Sequence, residues 1–551
     1  YATGQVSATQ KAGGLVGLND TTGVVSTSYV NSVATVTATD YSGGLVGVNL
    51  GGVTESSVAS TVVVNGVNFV GGLVGANGSF TDATASLTDS STAAAVNATG
   101  NQIGGVAGVN LAGITDTNAS GAVTVAANAF AVGGLVGANT GSISNSTANS
   151  ASVVAGAGAA PVGVNIGLQG GTYTGPSSTG TVQVDGQATT GQDGYGYTDG
   201  LIGSFQELNY ISYFPGKDFT LGVDIDGTGV TFTPIAFYGS LDGSATPTFD
   251  GNNKTISNLS IAQAADAVGL FGKVSHATVK DLTIDTAVIQ NTASDGYNTS
   301  GSGILAGTLD HATVSNIVLN DIVITRGSGT ARSYIGGLAG WVSNTTLSDI
   351  GVTGTSSVIA ETNWTANAGI VGYLDQSTLS NSSSSAYVYG GSGSGGLVGL
   401  MNTGSVIDNA SSSGDVKAFY QAAGGLVGQQ LGGSILNSHA TGDITQGVAY
   451  GLSQGGLVGE GSVGALIDNS YATGSVSSAT NNDGYVGGLV GDYAGTITNS
   501  YASGAVTGLN GVGGLVGRNQ GSIEGSYATG QVSATQKAGG LVGLNDTTGV
   551  V

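Results

Sequence analysis

The residues best placed to do chemistry together are acids between positions 224 and 250. Asp224 and Asp226 flank Ile225, so strand alternation sends both carboxylates to one face. Asp242 and Asp250 stand near Lys254, Lys273 and Lys280. Clustered carboxylates with a basic partner are what polysaccharide cleavage requires. Asp224, Asp226 and Asp250 also offer oxygen ligands for Ca²⁺, but no EF-hand loop or Gly-Gly-x-Gly-x-Asp nonapeptide accompanies them. Solvated turn residues account for the same acids, so no catalytic residue and no cofactor is expected. The three histidines are His276, His311 and His439, and there is no cysteine. That inventory argues against metal centres and His-dependent triads. His276 and His311 share the context His-Ala-Thr-Val, as equivalent positions of a repeat would. No His-Glu-x-x-His, P-loop or Gly-x-Ser-x-Gly elbow is read from the chain.

The elements that position these residues are set by Gly-Gly-Leu-Val-Gly. It stands at Gly13–Gly17, Gly43–Gly47, Gly71–Gly75, Gly133–Gly137, Gly395–Gly399, Gly424–Gly428, Gly455–Gly459, Gly487–Gly491, Gly513–Gly517 and Gly539–Gly543. Neighbouring copies start 26 to 32 residues apart, the period of a solenoid whose turns cannot fold alone. Each copy is followed by Ser-Ile or its equivalent and by Tyr-Ala-Thr-Gly-x-Val or its equivalent, giving three strand-length apolar stretches between Gly, Asn and Ser turns. The expected fold is therefore all-β: a parallel β-helix (β-solenoid) with about three short strands per 26–33-residue rung. Roughly 18 rungs stacked about 4.8 Å apart would make a rod on the order of 85 Å long.

Composition agrees. Apolar residues make up 40% and charged residues 8%, with 101 glycines, so long amphipathic helices are not expected. A net charge of −23 with only ten Lys and Arg excludes a basic nucleic-acid-binding face. No apolar run reaches membrane-spanning length. The absence of cysteine removes any dependence on disulfides.

Four segments follow in order. Residues 1–165 carry regular rungs, and 166–268 are divergent, richer in Pro and aromatics, with loop excursions expected. Residues 269–375 carry degenerate rungs, and 376–551 are regular again. Residues 527–551 repeat residues 1–25 without a change, which implies a tandem period of 526 residues.

Gly-Gly-Leu-Val-Gly followed by Asn, Ser-Ile and Asn-Ser-Tyr-Ala-Thr-Gly resembles the GLUG motif of bacterial surface proteins, including filamentous-haemagglutinin-like adhesins and repeat regions attached to some immunoglobulin-A-cleaving peptidases. The stretch 219–270, with Asp224-Ile-Asp226, Phe249-Asp-Gly251 and Gly269-Leu-Phe-Gly272, resembles the segment that often precedes such repeats. The resemblance implies a right-handed parallel β-helix outside a bacterial cell and names no catalytic residue. The expected partners are other copies of the same chain, head to tail or side by side, and surface glycans; no nucleic acid is among them.

Within the repeat, Gly14, Leu15, Val16 and Gly17, Gly44, Leu45, Val46 and Gly47, and Gly514, Leu515, Val516 and Gly517 mark successive rungs. Alternation would turn one of the two apolar residues outward unless the backbone bends there. An outward residue would form an apolar stripe for a neighbouring filament; a bend would hide both. Asn19, Asn49, Asn77, Asn110, Asn139, Asn519 and Asn545 recur two residues after the motif, as a corner amide ladder would. Tyr471, Tyr501 and Tyr527, with His439, share one repeat position and are expected outside, stacked on one another, on sugar rings or on a second subunit. Sequons at Asn77, Asn97, Asn145, Asn344 and Asn363 fit chance in so Asn-, Ser- and Thr-rich a chain, with surface glycosylation the alternative.

Overall fold

The computed structural model describes the chain except residues 1–3, 32–34, 80–83, 128, 150–151, 158, 160, 177–180, 185, 190–194, 197–200, 204, 206, 214–215, 231, 240–245, 264–265, 292–299, 327–332, 361–364, 420, 447–452 and 479–483. It forms two compact units, Tyr1–Asp199 and Gly200–Val551. Each is a parallel β-solenoid. Among the described residues there is no α-helix, and the one helical segment is the 3-10 stretch Glu207–Tyr213.

In the first unit, sheets of 12, seven, six and four strands run up the sides. One ladder passes from Val16 through Val46, Val74, Ala107 and Val136 to Ile166. Its pairings are parallel apart from the hairpin Thr181–Val184 with Gln187–Thr189. The second unit has sheets of 19, 11, 10 and 10 strands. The same motif valine ladders there through Val398, Val427, Val458, Val490, Val516 and Val542. Equivalent positions on successive turns are 26 residues apart at Asn519 and Asn545 and 35 apart at Asp285 and Asn320.

The three expected stretches of a rung are each present, and two of them are subdivided. A late turn contains five short strands: Val486–Gly487, Val490–Tyr493, Thr496–Thr498, Tyr501–Ala502 and Val506–Gly508. Left-handed corners separate strands in the late turns and bend the single strands Thr278–Asp285, Thr313–Asn320 and Thr346–Thr353 in the earlier ones. Asp281, Asn316, Asp349, Asn381, Asn409, Asn437, Asn469 and Asn499 all have φ between 48° and 57°, a region that Asp and Asn enter most readily after Gly. The Asn of each Asn-Ser-Tyr-Ala repeat is therefore a bend between two strands.

A second corner lies inside Gly-Gly-Leu-Val-Gly. The amides of Leu45 and Val46 both donate to the carbonyl of Leu73 on the next turn, at 2.9 and 3.1 Å. Two successive N–H groups aimed at one acceptor mean that the chain turns there. Leu45 and Val46 are both fully buried, as are Leu515 and Val516. The outward apolar stripe is thus absent from the inner rungs, because the bend overrides strand alternation. In the terminal rung, where one side is uncovered, Leu15 is 38% exposed. The bend brings backbones into close approach: a Cβ on Gly44 would lie 2.2 Å from the carbonyl oxygen of Gly72. Only glycine fits without moving a neighbouring turn.

The prolines do not all mark departures from the ladder. Pro161 and Pro247 each lend a carbonyl to it, accepting from Val132 at 2.9 Å and Thr278 at 2.8 Å, which a residue lacking only the N–H can do. Pro215 and Asp242 lie outside the described residues.

Candidate functional site

The acids near positions 224–281 are held as turn caps. Asp224 Oδ1 accepts from the Thr255 amide at 2.8 Å. Asp226 Oδ1 accepts from Asn258 Nδ2 at 2.8 Å and from Thr228 Oγ1 and N at 2.7 and 2.9 Å. The Asn258 bond, followed by those from Thr228, holds its carboxyl below the usual range. Asp250 accepts from the Asn252 amide at 2.7 Å and pairs with Lys280, which also reaches Asp281 at 2.9 Å. The hydrogen bond to Asp250, then that to Asp281, raises the Lys280 ammonium. Lys273 lies 4.0 Å from Asp310 instead of beside Asp250. Among the described residues no three His, Cys, Asp or Glu side chains converge on a point that could hold a metal ion.

His276 and His311 occupy equivalent left-handed corners, φ 51° and 49°, with rings stacked at 4.7 Å. His311 Nδ1 lies 2.8 Å from Asp310 Oδ1. Burial acts to raise the Asp310 carboxyl, yet bonds from His311 and Ser343, with the charges of His311 and Lys273, outweigh it and lower its pKa. The letters Gly-x-Ser-x-Gly do occur once, at 451–455, contrary to the reading of the sequence. Ser453 is 7% exposed in the strand Ser453–Gly455, inside the parallel ladder, so the match is not a nucleophile elbow.

The asparagines form a chain of amides. Asn19 Nδ2 donates to Asn49 Oδ1 at 2.7 Å, Asn49 to Asn77 at 2.8 Å, Asn77 to Asn110 at 2.8 Å, and Asn110 to Asn139 at 2.7 Å. Gln169 continues the chain at 3.1 Å. In the second unit Asn519 donates to Asn545 at 2.8 Å. Asn49, Asn77, Asn110, Asn139 and Asn519 are fully buried. Each inner amide also serves a rung carbonyl, as Asn77 does with Gly113 at 3.0 Å. Burial of Asn77 also closes that sequon to a glycan in the folded chain.

Tyr471, Tyr501 and Tyr527 stack in register behind His439. Successive ring centroids are 4.7, 4.9 and 5.2 Å apart, with interplanar angles of 7°, 6° and 6°. Both faces of Tyr471 and Tyr501 are therefore occupied by neighbouring rings. Face-on stacking against a sugar is closed to them, and what they present outward is an edge.

One column escaped sequence reasoning: the residue immediately after each Gly-Gly-Leu-Val-Gly. Its signal was present, because aligning the copies shows apolar side chains in the first unit and chemically varied ones in the second. In the second unit it reads Lys273, Thr308, Trp341, Tyr373, Leu400, Gln429, Glu460, Asp492, Arg518, Leu544, all in ladder register. Trp341 and Tyr373 lie 4.3 Å apart, with Tyr334 against both. Burial, followed by the charge of Asp375, pushes the Tyr373 phenol up to about 12. Further along, Arg518 makes a two-pronged ion pair with Asp492, its Nε donating to Oδ1 at 2.8 Å, and lies 4.5 Å over the Tyr485 ring. Next in the column, burial raises the Glu460 carboxyl; Gln429 opposes that shift and the charge of Asp492 adds to it. In the first unit the same column is Leu18, Val48, Ala76, Val109, Ala138 and Leu168. Its first four residues line a 420 Å³ groove, together with Lys11 and the stacked rings of Tyr41 and Phe69.

Fold and ladders define a β-solenoid built on a glycine-cornered repeat. The model of the GLUG motif matches residues 128–154, 419–445, 482–507 and 508–533, so the chain carries GLUG repeats in both units. Halomucin from Haloquadratum walsbyi (strain DSM 16790 / HBSQ001) is 33% identical over 149 residues, which are 25% of this chain and 2% of halomucin. The chain thus aligns with a small fraction of that relative's length. A putative immunoglobulin A1 protease from Bacteroides ovatus overlays with a TM-score of 0.28 at 20% identity, covering 63% of this chain and 83% of that one. An IgA1 protease gives 0.24 at 16%, covering 66% of this chain and 23% of the other. Scores at that level transfer neither fold nor activity. Among the described residues no helix is long and apolar enough to cross a membrane.

Proposed function

We propose that the chain is a non-enzymatic structural segment of a giant extracellular bacterial surface filament or adhesin. The observation that carries this reading is the buried asparagine ladder, in which each amide spends its hydrogen bonds on adjacent turns. Such a device stabilises a long stack and contributes nothing to turnover. The exact repeat of residues 1–25 at 527–551 supports a tandem arrangement in which copies of the chain are the first partner. Surface glycans are the second partner, recognised through the variable column. The test is localisation with antibody on intact cells, combined with negative-stain imaging of the secreted material. Long uniform fibres at the cell surface are expected; an intracellular protein, or short separate particles alone, would refute the reading.

A polysaccharide-binding or polysaccharide-degrading solenoid is the second reading. Glu460, with its raised carboxyl, stands beside Asp492, which Arg518 pairs. Two carboxyl groups in different environments are what acid–base cleavage requires. Turnover of an acidic polysaccharide that is lost in Glu460→Gln would favour it over the structural reading. Absence of turnover across a broad glycan panel would dismiss the degrading form.

A further inference from the structure

The tyrosine column has a chemistry that stacking alone does not use. Tyr471, Tyr501 and Tyr527 are Cα partners on three successive turns, with rings 4.9 and 5.2 Å apart and nearly parallel. Tyr471 and Tyr501 are half-buried and Tyr527 is 54% exposed, so an oxidant can reach the row. Burial first, and then the charges of Tyr471 and Tyr527, raise the Tyr501 phenol. The other aromatic contacts differ: Tyr387 and Tyr389 also stack, but at 6.3 Å and 17°, and along one strand rather than between turns. Tyr41 faces Phe69, which has no phenol. Tyr373 is tilted 45° to Tyr334, with its oxygen engaged by Asn402 at 3.0 Å. Tyr493 is fully buried.

We propose that Tyr471, Tyr501 and Tyr527 form a site of oxidative phenol coupling, which joins adjacent turns of this cysteine-free solenoid by a dityrosine bond when a peroxide acts through a haem peroxidase. The step balances. Each of two phenols loses one electron and its O–H proton, giving two phenoxyl radicals. Their ortho carbons join in a new C–C bond, and the two ortho hydrogens move to the phenol oxygens to restore both rings. The peroxide accepts two electrons and two protons and leaves as two waters. Neighbouring rings held on one strand ladder meet at an effective concentration of roughly millimolar or more, so coupling within a molecule outruns coupling between dilute molecules. The ring of Tyr501 is the only one of the three with a tyrosine on both sides, so it takes part in either possible link. The inference stands apart from the filament reading, since it concerns a single folded chain.

The experiment treats the full chain at low micromolar concentration with a haem peroxidase and limiting hydrogen peroxide, and in parallel with a small photochemical one-electron oxidant. Intact mass, dityrosine fluorescence and peptide mapping are the readouts. The expected product is a monomer lighter by two hydrogen atoms, with the link mapped between Tyr501 and Tyr471 or Tyr527. Tyr501→Phe keeps the ring stack but leaves Tyr471 and Tyr527 two ladder spacings, about 10 Å, apart. In that variant, and in chain unfolded with guanidinium before oxidation, the intramolecular link should disappear. Mapping on the natural chain is decisive even if the variant does not fold. Links spread over unrelated tyrosines, links formed only between molecules, persistence of the product in Tyr501→Phe, or no coupling with either oxidant would each overturn the proposal.

Discussion

Asn77→Ala is the most direct test of how the first unit is held together. Asn77 is fully buried and makes three hydrogen bonds: it donates to Asn110 Oδ1 at 2.8 Å and to the Gly113 carbonyl at 3.0 Å, and accepts from Asn49 at 2.8 Å. Removing the amide deletes all three. The partners are not equally stranded. Asn49 Nδ2 keeps the Ser86 carbonyl at 3.1 Å, and Asn110 Oδ1 keeps a long contact from the Ala112 amide at 3.4 Å. At about 1 kcal/mol per net hydrogen bond, with a further cost for groups left partly unsatisfied, the loss should be about 3 kcal/mol. The effect should be local, because each turn of a solenoid interacts with its immediate neighbours. The assay is guanidinium unfolding followed by circular dichroism, with hydrogen exchange read turn by turn. Faster exchange is expected in the turns carrying Asn49, Asn77 and Asn110, with the second unit unchanged. A loss below about 0.5 kcal/mol, or exchange altered equally everywhere, would refute the claim that the amide chain is a principal tie between turns.

Further outcomes test the corners and the charges. Gly456→Ala should destabilise the second unit by roughly 1–3 kcal/mol or more, because its Cβ would lie 2.1 Å from the Gly488 carbonyl oxygen; Gly351→Ala, with nothing within 4 Å, should be neutral or slightly stabilising. Thermal melts of the two variants decide. Asn499→Gly should lower the melting temperature only slightly, since it gives up the exposed bond from Asn499 Nδ2 to Asp468 Oδ1 at 3.0 Å but keeps the corner at φ 49°, where Gly525, φ 58°, fills the same place one turn on. Glu460 sits above its unfolded pKa of about 4.5, so the folded chain binds its proton more tightly than the unfolded one; its contribution is most favourable at low pH and is lost as pH rises from 4.5 through the folded value. Glu460→Gln should therefore raise stability at neutral pH and remove that part of the pH profile, as urea titrations from pH 4 to 8 would show. Chelation of divalent cations should leave the melt unchanged, because oxygens of Asp224, Asp226 and Asp250 already serve as turn caps; a fall of several degrees would overturn that assignment.

The period, the all-β class and the parallel stacking were legible in the sequence because a solenoid writes its geometry locally. Each turn must close in about 30 residues, and its corners recur at fixed offsets, most often on Asn, Asp or Gly. The recurrence of Asn two residues after Gly-Gly-Leu-Val-Gly, and of Tyr at 471, 501 and 527, follows from the same constraint: identical neighbours one turn apart create columns. What those columns face was not a local property. Strand alternation alone put Leu or Val of the motif outside, whereas Leu45 and Val46 are both buried because Gly44 lets the chain bend against the carbonyl of Gly72. Spacing alone offered Asp224, Asp226 and Asp250 equally as oxygen ligands or as turn residues; the partners that their oxygens hold, Thr255, Asn258, Thr228, Asn252 and Lys280, are set by the pairing of turns and the local bends. The column of Glu460, Asp492 and Arg518 is scattered in sequence and contiguous only when turns are laid in register. The chain by itself thus determined the rung and its repeat. The stacking of rungs decided which side chains are buried, which are paired and which remain free to meet a partner, because burial and charge pairing depend on neighbours about 30 residues away.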